Sequence, residues 1–163
     1  MTRLLLVLLI LAAIAASYLG MYRAWSHRVR VQSVLPEPQH TIAGDVVAGP
    51  WRGRYLGATH AGRWLDRIDA HALGVRSLAS VSVTSHGVAI EREGAPSIGI
   101  SFTELSGVRA DTAIAGRAYE QGGIVVLTML LGSTPVDIGI RFPATDDHLA
   151  ALAAIAHHSE VAK

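Results

Sequence analysis

The chain's 163 residues carry 14 basic and 13 acidic side chains, a net charge of +1. That balance excludes the strongly basic surface expected of a nucleic-acid-binding domain. With no cysteine and no asparagine, disulfides, thiol catalysis, cysteine metal sites and N-glycosylation are excluded as well.

Residues 1–3 form a short N-terminus. Residues 4–22, LLLVLLILAAIAASYLGMY, then run without a charge, a length that as helix spans roughly 28 Å, about a bilayer's hydrocarbon core. A secretory signal competes for the same residues, because Ala13-Ile14-Ala15 offers a small-residue cleavage site. The apolar run continues past that site, and Tyr18, Tyr22 and Trp25 suit an interfacial aromatic belt. The expectation is a single-pass transmembrane helix retained as a signal anchor, with Arg23, Trp25, Arg28 and Arg30 as its juxtamembrane anchor. The excess of Arg after the run places the C-terminal side in the cytoplasm of a bacterial cell membrane; export after signal cleavage is the alternative.

Residues 23–50 read as a basic juxtamembrane segment followed by a tether. Pro36, Pro38, Gly44, Gly49 and Pro50 forbid a continued helix and favour extended backbone. As a partly flexible coil, twenty residues reach about 25 Å. The other reading of this stretch is an edge strand at Val46 and Val47.

A single domain is expected over residues 51–158, followed by a tail at 159–163. Residues 53–59 make a short first strand with Tyr55 turned inward. In residues 62–74, Trp64, Leu65, Ile68 and Leu73 recur near helical spacing, which reads as a short helix or structured loop with Trp64 in the core; a membrane wedge is the other reading of Trp64. Ala79, Val81 and Val83 alternate with polar neighbours, and Val88 and Ile90 return after the turn at residues 85–87, so the two runs form a hairpin. Ile98, Ile100 and Phe102 alternate likewise, and a short strand is expected around residues 107–109. Residues 124–131, IVVLTMLL, read as a strand covered on both faces. Val136, Ile138, Ile140 and Phe142 form the last strand, with Asp137, Gly139 and Arg141 between them. Thr145, Asp146 and Asp147 open a terminal helix whose apolar stripe is Leu149, Leu152, Ala153 and Ala156. The fold class is thus mainly β: six to seven antiparallel strands in a bent sheet or partly open barrel, with a C-terminal amphipathic helix covering the core.

This order resembles the pleckstrin-homology superfold. More narrowly, GRYLGATHAGRWLDRIDAHALGVRS and GVAIEREGAPSIGISFTELSGVRAD resemble actinobacterial single-pass membrane proteins that pair one transmembrane helix with a PH-like domain. The family is largely uncharacterised, so the resemblance implies a fold and brings no site residues.

Chemistry-bearing patterns are few. His157 and His158 are adjacent and project about 100° apart on a helix, and His148 lies roughly 13 Å along the axis, so no metal site is expected. No Gly-x-Ser-x-Gly elbow, Ser-x-x-Lys pair or phosphate-binding glycine loop is present, and neither a catalytic residue nor a cofactor is expected. The strongest candidate is the cluster Arg52, Arg54, Arg63, Arg67 and Arg76, set against Asp66 and Asp69, a local charge of +3. It falls where PH-like folds present a basic lip to anionic headgroups. The expected function is a non-enzymatic adaptor or scaffold that binds a protein partner or anionic lipid at the inner membrane surface. An exported or outward-facing ligand-binding domain, or a membrane enzyme with an unrecognised site, are the alternatives.

Overall fold

A computed structural model of the chain describes residues 2–32 and 35–161; in the first helix the side chains described are those of residue 7 and residues 9–23. Two compact units divide the chain, Met1–Val34 and Leu35–Lys163.

The first unit is a helix, α1, Thr2–Gln32. Its described side chains are all exposed. Among the described residues no helix is long and apolar enough to cross a membrane. The expected span over residues 4–22 therefore finds no support there, although it takes in side chains outside the described residues. Of the juxtamembrane candidates, Arg23 is exposed, and the side chains of Trp25, Arg28 and Arg30 lie outside the described residues.

Among the described residues the second unit carries ten strands, one α-helix and a three-residue 3-10 helix at Ala70–Ala72. In chain order the strands and the α-helix are β1 (Val46–His60), β2 (Arg67–Ile68), β3 (Ser77–Thr84), β4 (Gly87–Arg92), β5 (Ile98–Ser101), β6 (Leu105–Asp111), β7 (Ala113–Ile114), β8 (Arg117–Ala118), β9 (Ile124–Leu131), β10 (Thr134–Arg141) and α2 (Thr145–Val161). The main sheet is antiparallel and runs β5-β4-β3-β1-β10-β9-β6, with β2 paired to β1. It stays open, with β5 at one edge and β6 at the other.

The alternation read from the sequence sets the inner face. Tyr55, Val81, Val83, Val88, Ile90, Ile98, Ile100, Val125, Leu127, Ile138 and Ile140 are all buried in one core. The helix α2 adds Ala151 and Ile155 to it. Here the expected stripe is corrected in part: Leu152 packs against the core, but Leu149 is 57 % exposed, and the buried positions are Ala151, Ile155 and Ser159. An Ala-rich helix gives a weak apolar contrast, and the small side chain of Ala151 lets the helix settle closely on the sheet.

The first strand begins at Val46, ahead of the expected residues 53–59 and as the strand reading of Val46 and Val47 had it. Residues 46–52 join β1 despite Pro50, because register shifts between Val46 and Ala48 and between Ala48 and Trp51 absorb a residue that cannot donate to the ladder. The preceding segment, expected as a tether, packs as part of the second unit. Gly99 N–H donates to Gln39 O at 2.7 Å and Ser85 N–H to Asp45 O at 3.0 Å, Pro38 is buried, and Leu35 packs against the core.

A second, smaller core lies on the reverse face of the sheet, where the β7–β8 hairpin covers Leu56, Ile124 and Val126 with Ile114 and Ala115. Ala115 and Gly116 have φ of 49° and 74°, the two left-handed positions of a tight hairpin turn. The hairpin sits on the cross-strand pair Gly57 and Gly139. A Cβ at Gly139 would stand 2.5 Å from Ile114 Cγ2, and one at Gly57 3.2 Å from Ala115 Cβ. Gly57 also has a φ of 131°, which L side chains rarely adopt.

Candidate interaction surface

The turn between β1 and β2 is tied by its own backbone. Arg63 N–H donates to His60 O at 2.9 Å, Asp66 N–H to Arg63 O at 2.8 Å, and His60 N–H to Asp66 O at 3.0 Å. Gly62 N–H donates to Asp137 Oδ2 at 3.0 Å, and Gly116 N–H in the β7–β8 turn to Trp64 O at 3.0 Å. A held backbone thus presents two large apolar side chains to solvent: Trp64 is 44 % and Leu65 69 % exposed. This corrects the expectation of Trp64 in the core; of the two readings of residues 62–74, the structured loop holds here, with a short 3-10 helix only at Ala70–Ala72. Pairing of Ile68 with Ala58 draws the chain into extended backbone, which buries Ile68 and leaves Trp64 and Leu65 on the turn. The partly exposed side of Trp64 borders a hollow of about 100 Å³ shared with Thr59, Arg109, Asp111 and Ile114.

Cations surround this apolar tip. Arg63 is exposed and lies 3.7 Å from Asp66. Arg67 bonds Asp69 at 3.0 Å and donates to Gly74 O, so it braces the loop from within. Arg76 Nε donates to Leu56 O at 3.1 Å; burial lowers its pKa, and the nearby Arg117 and Arg67 lower it further. Arg117 is exposed in β8, and the sequence reading did not single it out. Its only early signal is one Arg within a short Ala- and Gly-rich run.

The expected five-Arg cluster is therefore divided. Arg63 stands at the tip, the bond from Gly116 to Trp64 O brings Arg117 close to it, and Arg67 opens the strand behind it; Arg76, held on Leu56 O, lies further back along β1 towards Arg54. Arg52 and Arg54 lie back along β1, on the outer face of the sheet opposite Ser80 and Leu78. Arg54 and His60 alone are six strand positions apart, about 20 Å at strand rise.

Behind the tip lies a polar network that the sequence reading also missed. Asp137, expected on the solvent side of β10, is 3 % exposed. Arg109 grips it with two bonds, 3.2 Å to Oδ1 and 2.8 Å to Oδ2, and Thr128 Oγ1 donates to Oδ1 at 2.6 Å. Burial pushes the Asp137 carboxyl up, but the bonds from Arg109, Thr128 and Gly62 prevail and hold it below the ordinary carboxylate range. All of its acceptor positions are filled, so it anchors the β1–β2 turn and offers no free base. Among the described residues no group of three or more His, Cys, Asp or Glu side chains could hold a metal ion.

An open antiparallel sheet followed by a C-terminal helix is the architecture of a PH-like domain. The family model described as Bacterial PH domain-like matches residues 21–156, and the chain belongs to that family. No curated protein matches it.

Proposed function

We propose that this chain is a non-enzymatic, membrane-anchored PH-like adaptor whose β1–β2 tip rests on an anionic bilayer surface. The observation that carries the reading is the exposed pair Trp64 and Leu65 on a turn held by backbone bonds on both sides of them, with Arg63 beside them and Arg117 nearby. Indole and leucine side chains favour the headgroup boundary. Each cation close to an anionic leaflet adds about 1 kcal/mol. Arg63, Arg67 and Arg117 against Asp66 and Asp69 leave the tip at +1, which fits a negative surface.

The anchor is the other half of the proposal. The uncharged run at residues 4–22 has the length and composition of a span, and the Arg residues that follow favour a cytoplasmic domain. Confinement at the bilayer raises the effective concentration of a weakly binding tip.

The tip is tested with residues 35–163 and vesicles of phosphatidylcholine, alone or mixed with phosphatidylglycerol. Binding should need the anionic lipid and be lost in Trp64→Ala/Leu65→Ala and in Arg63→Glu/Arg117→Glu. Equal binding to both vesicle types overturns the lipid reading. For the anchor, the intact mass of membrane-extracted chain distinguishes a retained Met1 from cleavage near Ala15. A reporter fused after Lys163 that is active only outside the cytoplasm would reverse the assigned side.

A further inference from the structure

On the outer face of β1, β3 and β4 the register sets out two parallel rows. Arg52 stands opposite Ser80, and Ser80 opposite Glu91. Arg54 stands opposite Leu78, whose carbonyl accepts the Glu93 N–H at 3.0 Å. The face is therefore striped, with two Arg on β1, Leu78 and Ser80 on β3, and two Glu flanking them on the β4 side. Strands about 4.8 Å apart put the positive and negative stripes roughly 10 Å from each other. All four charged residues are exposed, and Leu78 between them is 51 % exposed. Arg52, Leu78, Ser80, Glu91 and Glu93 line a groove of about 550 Å³. Among the described residues none of the four charges enters an ion pair. Arg141, the cationic neighbour of Arg54 on β10, is already bound to Glu120 at 2.8 Å.

We propose that this face is a self-association surface on which two copies of the chain meet about a two-fold axis. A partner of one sign would satisfy one stripe and repel the other, whereas a second copy satisfies both. An axis lying above β3 and parallel to the strands sets Arg52 over the second copy's Glu91 and Arg54 over its Glu93. It also brings Leu78 against Leu78. That is the self-complementarity an isologous interface demands. The contact involves few residues and suits association strengthened by confinement in one membrane. It uses neither Trp64, Leu65, Arg63 nor Arg117, so it stands or falls separately from the bilayer-facing tip.

The chain contains no cysteine, which makes the test clean. Full-length Leu78→Cys, oxidised in membranes, should form a disulfide-linked dimer, whereas Leu130→Cys, exposed elsewhere on the domain, should not. In the Leu78→Cys background, Arg52→Glu/Arg54→Glu should abolish the dimer, as should Glu91→Arg/Glu93→Arg. Co-expressing these two charge-reversed chains should restore it as a heterodimer. The proposal is overturned if Leu78→Cys crosslinks no better than Leu130→Cys, if it crosslinks only to other proteins, or if co-expression restores nothing. Normal yield and circular dichroism of each reversed chain separate a lost contact from a lost fold.

Discussion

Arg92 and Tyr55 are stacked, the guanidinium carbon lying 4.6 Å from the ring centroid, and together they hold one loop. Tyr55 Oη donates to Leu73 O at 2.7 Å. Arg92 donates to Ala72 O at 3.0 Å and to Pro96 O at 2.6 Å. Burial raises the phenol's pKa and lowers that of the guanidinium, and among the described residues no carboxylate pairs with Arg92. The cation is held by carbonyls and an aromatic face. The loop it grips passes through His71 and Ala72, both with positive φ, a conformation that costs energy in residues other than glycine.

Arg92→Met should therefore keep the packing volume but leave the part-buried carbonyls of Ala72 and Pro96 without this donor, at a cost of about 1–3 kcal/mol. The loss should be uneven. Hydrogen exchange at residues 71–75 should speed up more than at the centre of β3 or β9. Equal acceleration throughout would mean that Arg92 supports the core generally and has no special hold on this loop.

Gly139→Ala should push Ile114 off the sheet, because the added methyl has no room beneath the β7–β8 hairpin. Overpacking of this kind costs about 1–3 kcal/mol. Pairing Gly139→Ala with Ile114→Ala should recover part of the loss, which chemical denaturation of the four chains in a double-mutant cycle would reveal.

The Asp137 carboxyl is held below its ordinary value in the folded domain, so it adds stability at pH values above the unfolded pKa, about 3.9. That stability is lost as pH falls through the lower, folded value. Thermal midpoints should drop on acidification. Asp137→Asn should lower the midpoint at neutral pH and flatten its acid dependence; an unchanged acid limb would remove Asp137 from the account.

A chain beginning at Val46 should melt below one beginning at Leu35. The longer chain keeps buried Pro38, the bridge from Gln39 to Gly99 and the bond from Thr84 Oγ1 to Ala43 O. With each kcal/mol moving the midpoint about 3–6 °C in a domain of this size, the difference is readable by scanning calorimetry. Equal midpoints would make residues 35–45 an ornament of the fold.

The strands of the core were readable because Val81, Ile90, Ile100 and Ile138 repeat at period two against polar neighbours. What escaped the sequence reading was held by other means. Residues 35–45 are fastened chiefly through backbone bonds, which leave little apolar pattern. The strands β7 and β8 have two residues each, too short for any periodicity to show. Asp137 alternated as a surface residue should, and only Arg109 and Thr128, reaching it from neighbouring strands, make its burial tolerable. The Arg cluster was misjudged for the opposite reason. Arg52 and Arg63 are close in the chain, yet a long strand carries them to different parts of the domain. Trp64 looked like core by residue type, while its place at the turn leaves it partly in water.

The glycine pair beneath the β7–β8 hairpin has one more effect. By seating Ile114 and Ala115 on the reverse face, it shelters Ile124 and Val126 there while Val125 and Leu127 face the main core. Over residues 124–127 strand β9 is closed to water from both sides, and it is paired along both of its edges, to β10 and to β6. Its central amides should be the slowest in the domain to exchange with deuterium, opening only when the whole structure does. Two residues without side chains thereby determine where this domain is last to come apart.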